Sequence, residues 1–208
     1  MREKECFSYI VKDDCGYAPN PWWGECTLAV CKPVIRKTAR EGDLIVGLTP
    51  SKLGNKLSYA MYVEEILPLG EYYQDPRFES KKPDFQSDDV RVWMGDNFYE
   101  PSGNGYIQHV SAHNVMGRDL SVLDQKQETD LSGVNVLISS LFFYYGKNSQ
   151  TLPPELDFLK IGRGHRLSGT RGVLAFEHHA GKLLKTPGVY GEPRTLAKEV
   201  ELLQYLHK

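Results

Sequence analysis

The stretch "REGDLIVGLTP" (residues 40–50) decides the fold class. Gly42-Asp43 makes a turn, and Leu44 to Leu48 form a short apolar run that stops before Pro50. Such a run, bounded by turn signals, predicts a buried strand. Working outward, "SYAMYVEEI" (58–66) is the next strand, with Tyr59, Met61 and Val63 on one face. "CFSYIV" (6–11) is a third, and "VNVLISSLFFYYG" (134–146) is strongly apolar and β-rich. The helices are short. Pro33 suits a first helical position before "VIRKTAR", and "GEYYQDPRF" (70–78) resembles one helical turn ending at a proline. Near the end, Leu196, Val200 and Leu203 follow Pro193 at the spacing of an amphipathic helix. The sum is an α+β chain, β-rich, with a curved mixed sheet or small barrel, short helices and a C-terminal helix.

The 208 residues suit a single domain, 1–208. Residues 79–135 form a long polar excursion with many turn signals, of a length that suggests function. Apolar residues at 40% and charged residues at 25% exclude a disordered chain. A formal net charge of −2 excludes bulk attraction to nucleic acid, so any phosphate site must be a local cluster. No window is apolar enough to span a membrane, and the N-terminal apolar run is too short for a signal peptide; a cytoplasmic protein is expected. Cys6, Cys15, Cys26 and Cys31 form no C-x-x-C pair, so reduced, packed thiols are expected, with no metal and no cofactor.

Three stretches carry candidate chemistry. In "GYAPNPWWGECTLAVCKP" (16–33), two tryptophans stand together. Neighbours on an extended segment point to opposite sides, so one packs inward and the other offers a stacking wall beside Asn20. Lys32, which precedes a proline, is expected to be extended and adds a cation. In "IGRGHRLSGTRG" (161–172), Arg163, His165 and Arg166 lie among glycines that let a backbone approach an anion. The pattern is neither a Walker loop nor a dinucleotide fingerprint. In "WMGDNFYE" (93–100), Asp96 and Asn97 follow a glycine between aromatics, either a plain turn or a polar group for a base edge or a proton transfer. His109 and His113 stand four apart, but the local sequence makes a helix there doubtful, and no metalloprotease pattern occurs.

The N-terminal stretch resembles the opening of the nucleotide-modification-associated domain family, second type. The shared features are the A-P-N-P-aromatic segment, C-T-L-A-x-C-K-P and the G-D turn, followed in order by "YAMYVEEI", "EYYQDPRF", "GDNFY" and "GRGH". Beyond Arg166 the chain departs from that pattern, so 167–208 reads as a divergent C-terminal extension. The resemblance implies a setting in which phage or bacteria make or handle modified DNA bases. A looser similarity to PUA-like domains, some of which read modified bases, implies a PUA-like barrel as one form of the sheet.

Together these readings predict recognition of a modified base or nucleotide, with DNA as a further partner through the basic loop. The site set is Asn20, Trp22, Trp23, Lys32, Asn97, Arg163, His165 and Arg166. One alternative is a transferase or hydrolase acting on a nucleotide, with Asp96 as base and His165 as acid. Another is a module that binds a polypeptide through the aromatic patch.

Overall fold

The computed structural model describes residues 3–115, 120–180 and 186–196, together with 198, 200 and 201. The chain opens with β1 (Cys6–Ile10), β2 (Cys26–Leu28), α1 (Pro33–Thr38), β3 (Leu44–Leu48), β4 (Leu57–Tyr62) and β5 (Glu65–Pro68). It continues through α2 (Leu69–Gln74), α3 (Val90–Trp93), β6 (Tyr99–Ser102), β7 (Gly105–Gln108), α4 (Ala112–Val115) and α5 (Leu120–Leu131). Then come β8 (Asn135–Ser139), β9 (Phe142–Tyr144), β10 (His165–Leu167), α6 (Gly169–Ala180) and β11 (Gly188–Val189).

A six-stranded mixed sheet runs in the order β10-β1-β3-β4-β9-β11, and a three-stranded sheet in the order β2-β8-β5. The β6–β7 hairpin stands apart. Among the described residues no barrel closes, which settles the two forms expected for the sheet in favour of the open one. The central strand β3 shows why its sequence is apolar throughout. Leu44, Val46 and Leu48 face one core with Val173 and Phe176 of α6, while Ile45 faces the opposite core. There it meets Leu28 and Leu137 of the smaller sheet and Ile35 of α1. Val136 and Ile138 point out of the far side of that sheet to a third core with Tyr72, Phe78 and Phe98. Both sheets are therefore covered on both faces at their centres, and β3, buried along its whole length, lacks a polar side.

Two runs split where the sequence reads continuously. "SYAMYVEEI" gives β4 to the large sheet and β5 to the small one. At the crossing, Val63 N–H donates to Asp43 O (2.8 Å) and Glu64 N–H to Ile138 O (3.0 Å). "VNVLISSLFFYYG" likewise divides into β8 and β9, because the Glu64 carboxylate captures the N–H groups of Ser140 (2.6 Å) and Leu141 (2.9 Å). Tyr59, Met61 and Val63 do share one face, in the core between the sheets.

A second departure is at Lys32. Expected to be extended, it is left-handed (φ 43°), as is Cys31 before it (φ 57°). Tertiary bonds hold the pair: Cys31 N–H donates to Asp130 Oδ1 (2.7 Å), and Lys32 Nζ to Ile10 O (3.2 Å). Non-glycine residues in that region cost on the order of 1–3 kcal/mol each, so the surroundings must impose it. At the C-terminus, Leu196 and Val200 pack beside Trp22 and Met94. Leu203 lies outside the described residues.

Candidate functional site

The segment carrying Asn20 and the tryptophans splits its duties within three residues. Asn20 is fully buried. Its Nδ2 donates to Met94 O (3.1 Å), and its Oδ1 accepts from Lys81 Nζ (2.9 Å). Lys81, itself buried, also donates to Asn20 O (3.2 Å), Glu25 O (2.9 Å) and Thr27 Oγ1 (3.2 Å). Asp96 closes the strut, accepting from Thr27 Oγ1 (2.6 Å) and Tyr72 OH (2.7 Å). Gly95 makes this possible, because a Cβ there would stand 2.3 Å from Lys81 O. Burial raises the Asp96 carboxyl against the pull of the Lys81 ammonium and the two hydroxyls, and burial lowers the Lys81 amine. Asn97 Nδ2 ties Tyr72 O and Phe78 O (both 3.2 Å). These polar atoms already have partners inside the protein, so the arrangement is that of a structural strut.

Two residues on, the surface opens. Trp22 is 9% exposed and Trp23 38% exposed, and both line a cleft of about 450 Å³ with Gly24, Arg91, Ser140 and Phe142. The Arg91 guanidinium sits 5.9 Å from the Trp22 ring centroid, and Lys81 Nζ 5.8 Å from that of Trp23. Arg91 also pairs with Asp89 at 2.6 Å. The residues 187–189 complete the rim. This volume falls in the range that holds small ligands.

A second concave region surrounds Lys32. One cavity of about 110 Å³ is walled by Tyr9, Tyr17, Cys31 and Lys32; another, of about 130 Å³, by Lys32, Val34, Gly164 and His165. The structure thus brings together two motifs read separately, the C-K-P turn and the G-R-G-H loop. Register explains it. His165 pairs with Tyr9 on β1, and its ring lies 6.4 Å from that of Phe7, on the face turned to α1. Arg166, next along β10, takes the other face and donates to Phe158 O. His165 and Arg166 therefore do not converge. Arg163 is exposed on the loop and lines neither Trp22–Trp23 nor the Lys32 cavities.

The same row crosses the sheet through Gly47, which pairs with Tyr9 on one side and Tyr59 on the other. A Cβ on Gly47 would lie 2.2 Å from the Tyr59 ring. Its absence lets the Tyr9 and Tyr59 hydroxyls meet at 2.7 Å. Lys32 Nζ lies over the Tyr9 ring at 4.7 Å, and burial holds its amine below the usual lysine value.

Beneath this region lies a cluster that no local spacing announces. His113 Nε2 and Asp130 Oδ2 are 2.8 Å apart, both residues are buried, and Tyr99 OH donates to the same oxygen (3.2 Å). Burial, then the Asp130 charge, push the Cys31 thiol up to about 12. Arg36 is fully buried beside them and donates from Nη1 to Asp130 O (2.9 Å). His109 is elsewhere, stacked on Tyr73 and paired with Glu100 at 2.6 Å. His109 lies just past the end of β7 and only His113 is on α4, which is why their spacing has no helical meaning. No helix among the described residues is long and apolar enough to cross a membrane.

Residues 3–200 match the family model described as nucleotide modification associated domain 2, and the chain belongs to that family. The match runs well past Arg166, where the resemblance in the motifs stops. No curated protein and no solved structure matches the chain.

Proposed function

We propose that this member of the nucleotide modification associated domain 2 family recognises a base or nucleotide, modified bases included, in the cleft walled by Trp22 and Trp23. The observation that carries the reading is the cleft itself: two adjacent indoles and a guanidinium around about 450 Å³ of open space. An exposed indole is a sequence-tolerant stacking surface for a base, worth ~1–3 kcal/mol per base. Trp23 takes that role. Trp22, packed against Met94 and Leu196, holds the wall in place. Arg91 stands where a phosphate of the same ligand needs a planar donor, the task that the sequence suggested for Arg163. A fork to the Asp89 carboxylate, from Nε at 2.9 Å and Nη2 at 2.6 Å, orients the guanidinium at the rim.

A thermal-shift series with nucleotides and short DNAs, carrying normal and modified bases, tests this. A ligand at one hundred times its Kd should stabilise the fold by ~2.7 kcal/mol. The reading requires a shift with at least one of them that Trp23→Ala removes. A shift that survives Trp23→Ala places the ligand elsewhere, and none at all would favour a polypeptide partner.

The enzymatic alternative does not run through Asp96 in this reading. Its oxygens are held by Thr27 and Tyr72 in a buried strut, out of reach of the substrate proton that a base must touch.

A further inference from the structure

We infer that Cys31, His113 and Asp130 form a binding site for a divalent ion of the zinc class. The Cys31 sulfur, a ring nitrogen of His113 and a carboxylate oxygen of Asp130 all lie within 4.8 Å of one another. His113 is 6% exposed and Asp130 2%. A second observation is independent of that proximity: His113 Nδ1 is buried and has no hydrogen-bond partner among the described residues. An ion here takes the place of the proton between His113 Nε2 and Asp130 Oδ2, 2.8 Å apart, and the ring proton moves to Nδ1, which no described group holds.

The donor set selects the ion. Thiolate, imidazole and a single carboxylate suit a borderline ion such as Zn²⁺; Ca²⁺ and Mg²⁺ need several oxygens. On binding, the thiol gives up its proton to solvent, and the thiolate and carboxylate together cancel the charge of the ion. Arg36 does not compete for the carboxylate, since its Nη1 takes the backbone oxygen of Asp130. Three protein ligands leave a fourth coordination position, the pattern of sites that take water or a substrate atom. Cys31 also walls the cavity of about 110 Å³ shared with Tyr9, Tyr17 and Lys32, which offers such a species room.

The assignment accounts for two further features. It gives a reason for the left-handed Cys31, whose N–H is fixed by Asp130 Oδ1 at 2.7 Å, so that turn and carboxylate are set in one geometry. It also explains why the polar excursion returns to the C-K-P turn. His113 on α4 and Asp130 on α5 both belong to that excursion, and an ion would pin it to the strand β2 side of the molecule. Cys31 and Asp130 are 99 residues apart in the chain, so no local spacing announces the set.

Co²⁺ added to the full chain under reducing conditions is the direct probe. One equivalent should produce visible absorption of a four-coordinate site and a near-ultraviolet thiolate-to-cobalt band, both displaced by Zn²⁺. Zn²⁺ should also slow alkylation of Cys31, located by mass spectrometry, by about tenfold or more. Cys31→Ser should abolish the thiolate band, and His113→Gln should weaken Co²⁺ binding by about tenfold or more. Absence of the thiolate band in the unaltered protein overturns the proposal. So does a band that survives Cys31→Ser, which would place the ion on another thiol. Should His113→Gln fail to fold, the alkylation rate of the unaltered chain with and without Zn²⁺ decides, and equal rates refute the site.

Discussion

Asn20 and Trp23 lie three residues apart in one motif and meet opposite fates. Around Asn20, the oxygens and nitrogens of Lys81, Thr27, Tyr72 and Asp96 are matched inside the protein. Around Trp23, apolar faces and a guanidinium remain open to solvent. The difference teaches how to separate scaffold from site in a motif rich in both polar and aromatic residues. Polar groups that satisfy one another in the interior fix the shape of a wall. In the proposed reading, the aromatic residues standing on that wall are what a ligand meets. Lys81 joins the two regions, since the ammonium that closes the strut also lies by the face of Trp23.

The strongest way to break the comparison is to remove that ammonium. Lys81→Ala leaves the Asp96 carboxylate buried beside unmatched acceptors and should destabilise the fold by about 3–5 kcal/mol. Urea unfolding at neutral pH reads this, and a loss below about 1 kcal/mol would mean that the strut is not structural. A smaller effect is expected at Gly47. There Gly47→Ala drives a Cβ into the Tyr59 ring and should cost about 1–3 kcal/mol by overpacking, seen as a lowered urea midpoint.

On the open side the pattern should invert. Trp23→Ala should change stability by only ~0.5 kcal/mol, yet weaken nucleotide binding by ~1–3 kcal/mol, roughly 5- to 150-fold in Kd.

The smallest effect concerns Glu64, which marks where β8 gives way to β9. Partial burial works to raise its carboxyl, but the N–H groups of Leu141 and Ser140 and the Ser139 and Ser140 hydroxyls outweigh it and hold the value below 4.5. A carboxyl lowered in the folded state adds stability that is present above pH 4.5 and lost as the pH falls through its folded value. Glu64→Gln should therefore be modestly less stable at neutral pH and have a flatter acid limb. Parallel acid limbs for the two proteins would show that these bonds do not matter.

The parts of the molecule legible in the sequence were those set by local rules. β1, β3 and α1 follow from apolar runs, a Gly-Asp turn and a proline at a helix start, and the inward Tyr59, Met61 and Val63 follow from period-two alternation. What local rules missed was decided by distant partners. Lys32 is left-handed because Ile10, Asp130 and Arg36 hold the turn, against the preference of a residue before proline. β8 and β9 separate because the Glu64 carboxylate, from the link between β4 and β5, takes the two N–H groups between them. For the proposed site, the aromatic pair is visible in the sequence, whereas Arg91, which lines the same cleft, has no motif around it. Glycines beside arginines indicate a loop able to meet an anion, but only the fold says which cleft it faces.

The claim that the Trp22–Trp23 cleft is the nucleotide site, with Arg91 as its cation, is tested most directly by calorimetric titration of one responsive nucleotide. The proteins compared would be wild type, Trp23→Ala, Arg91→Ala and Arg163→Ala. The account predicts one saturable site in the wild type, weakened by both Trp23→Ala and Arg91→Ala and unchanged by Arg163→Ala. Binding that is lost in Arg163→Ala and intact in Trp23→Ala and Arg91→Ala would contradict it and move the ligand to the loop beside Lys32.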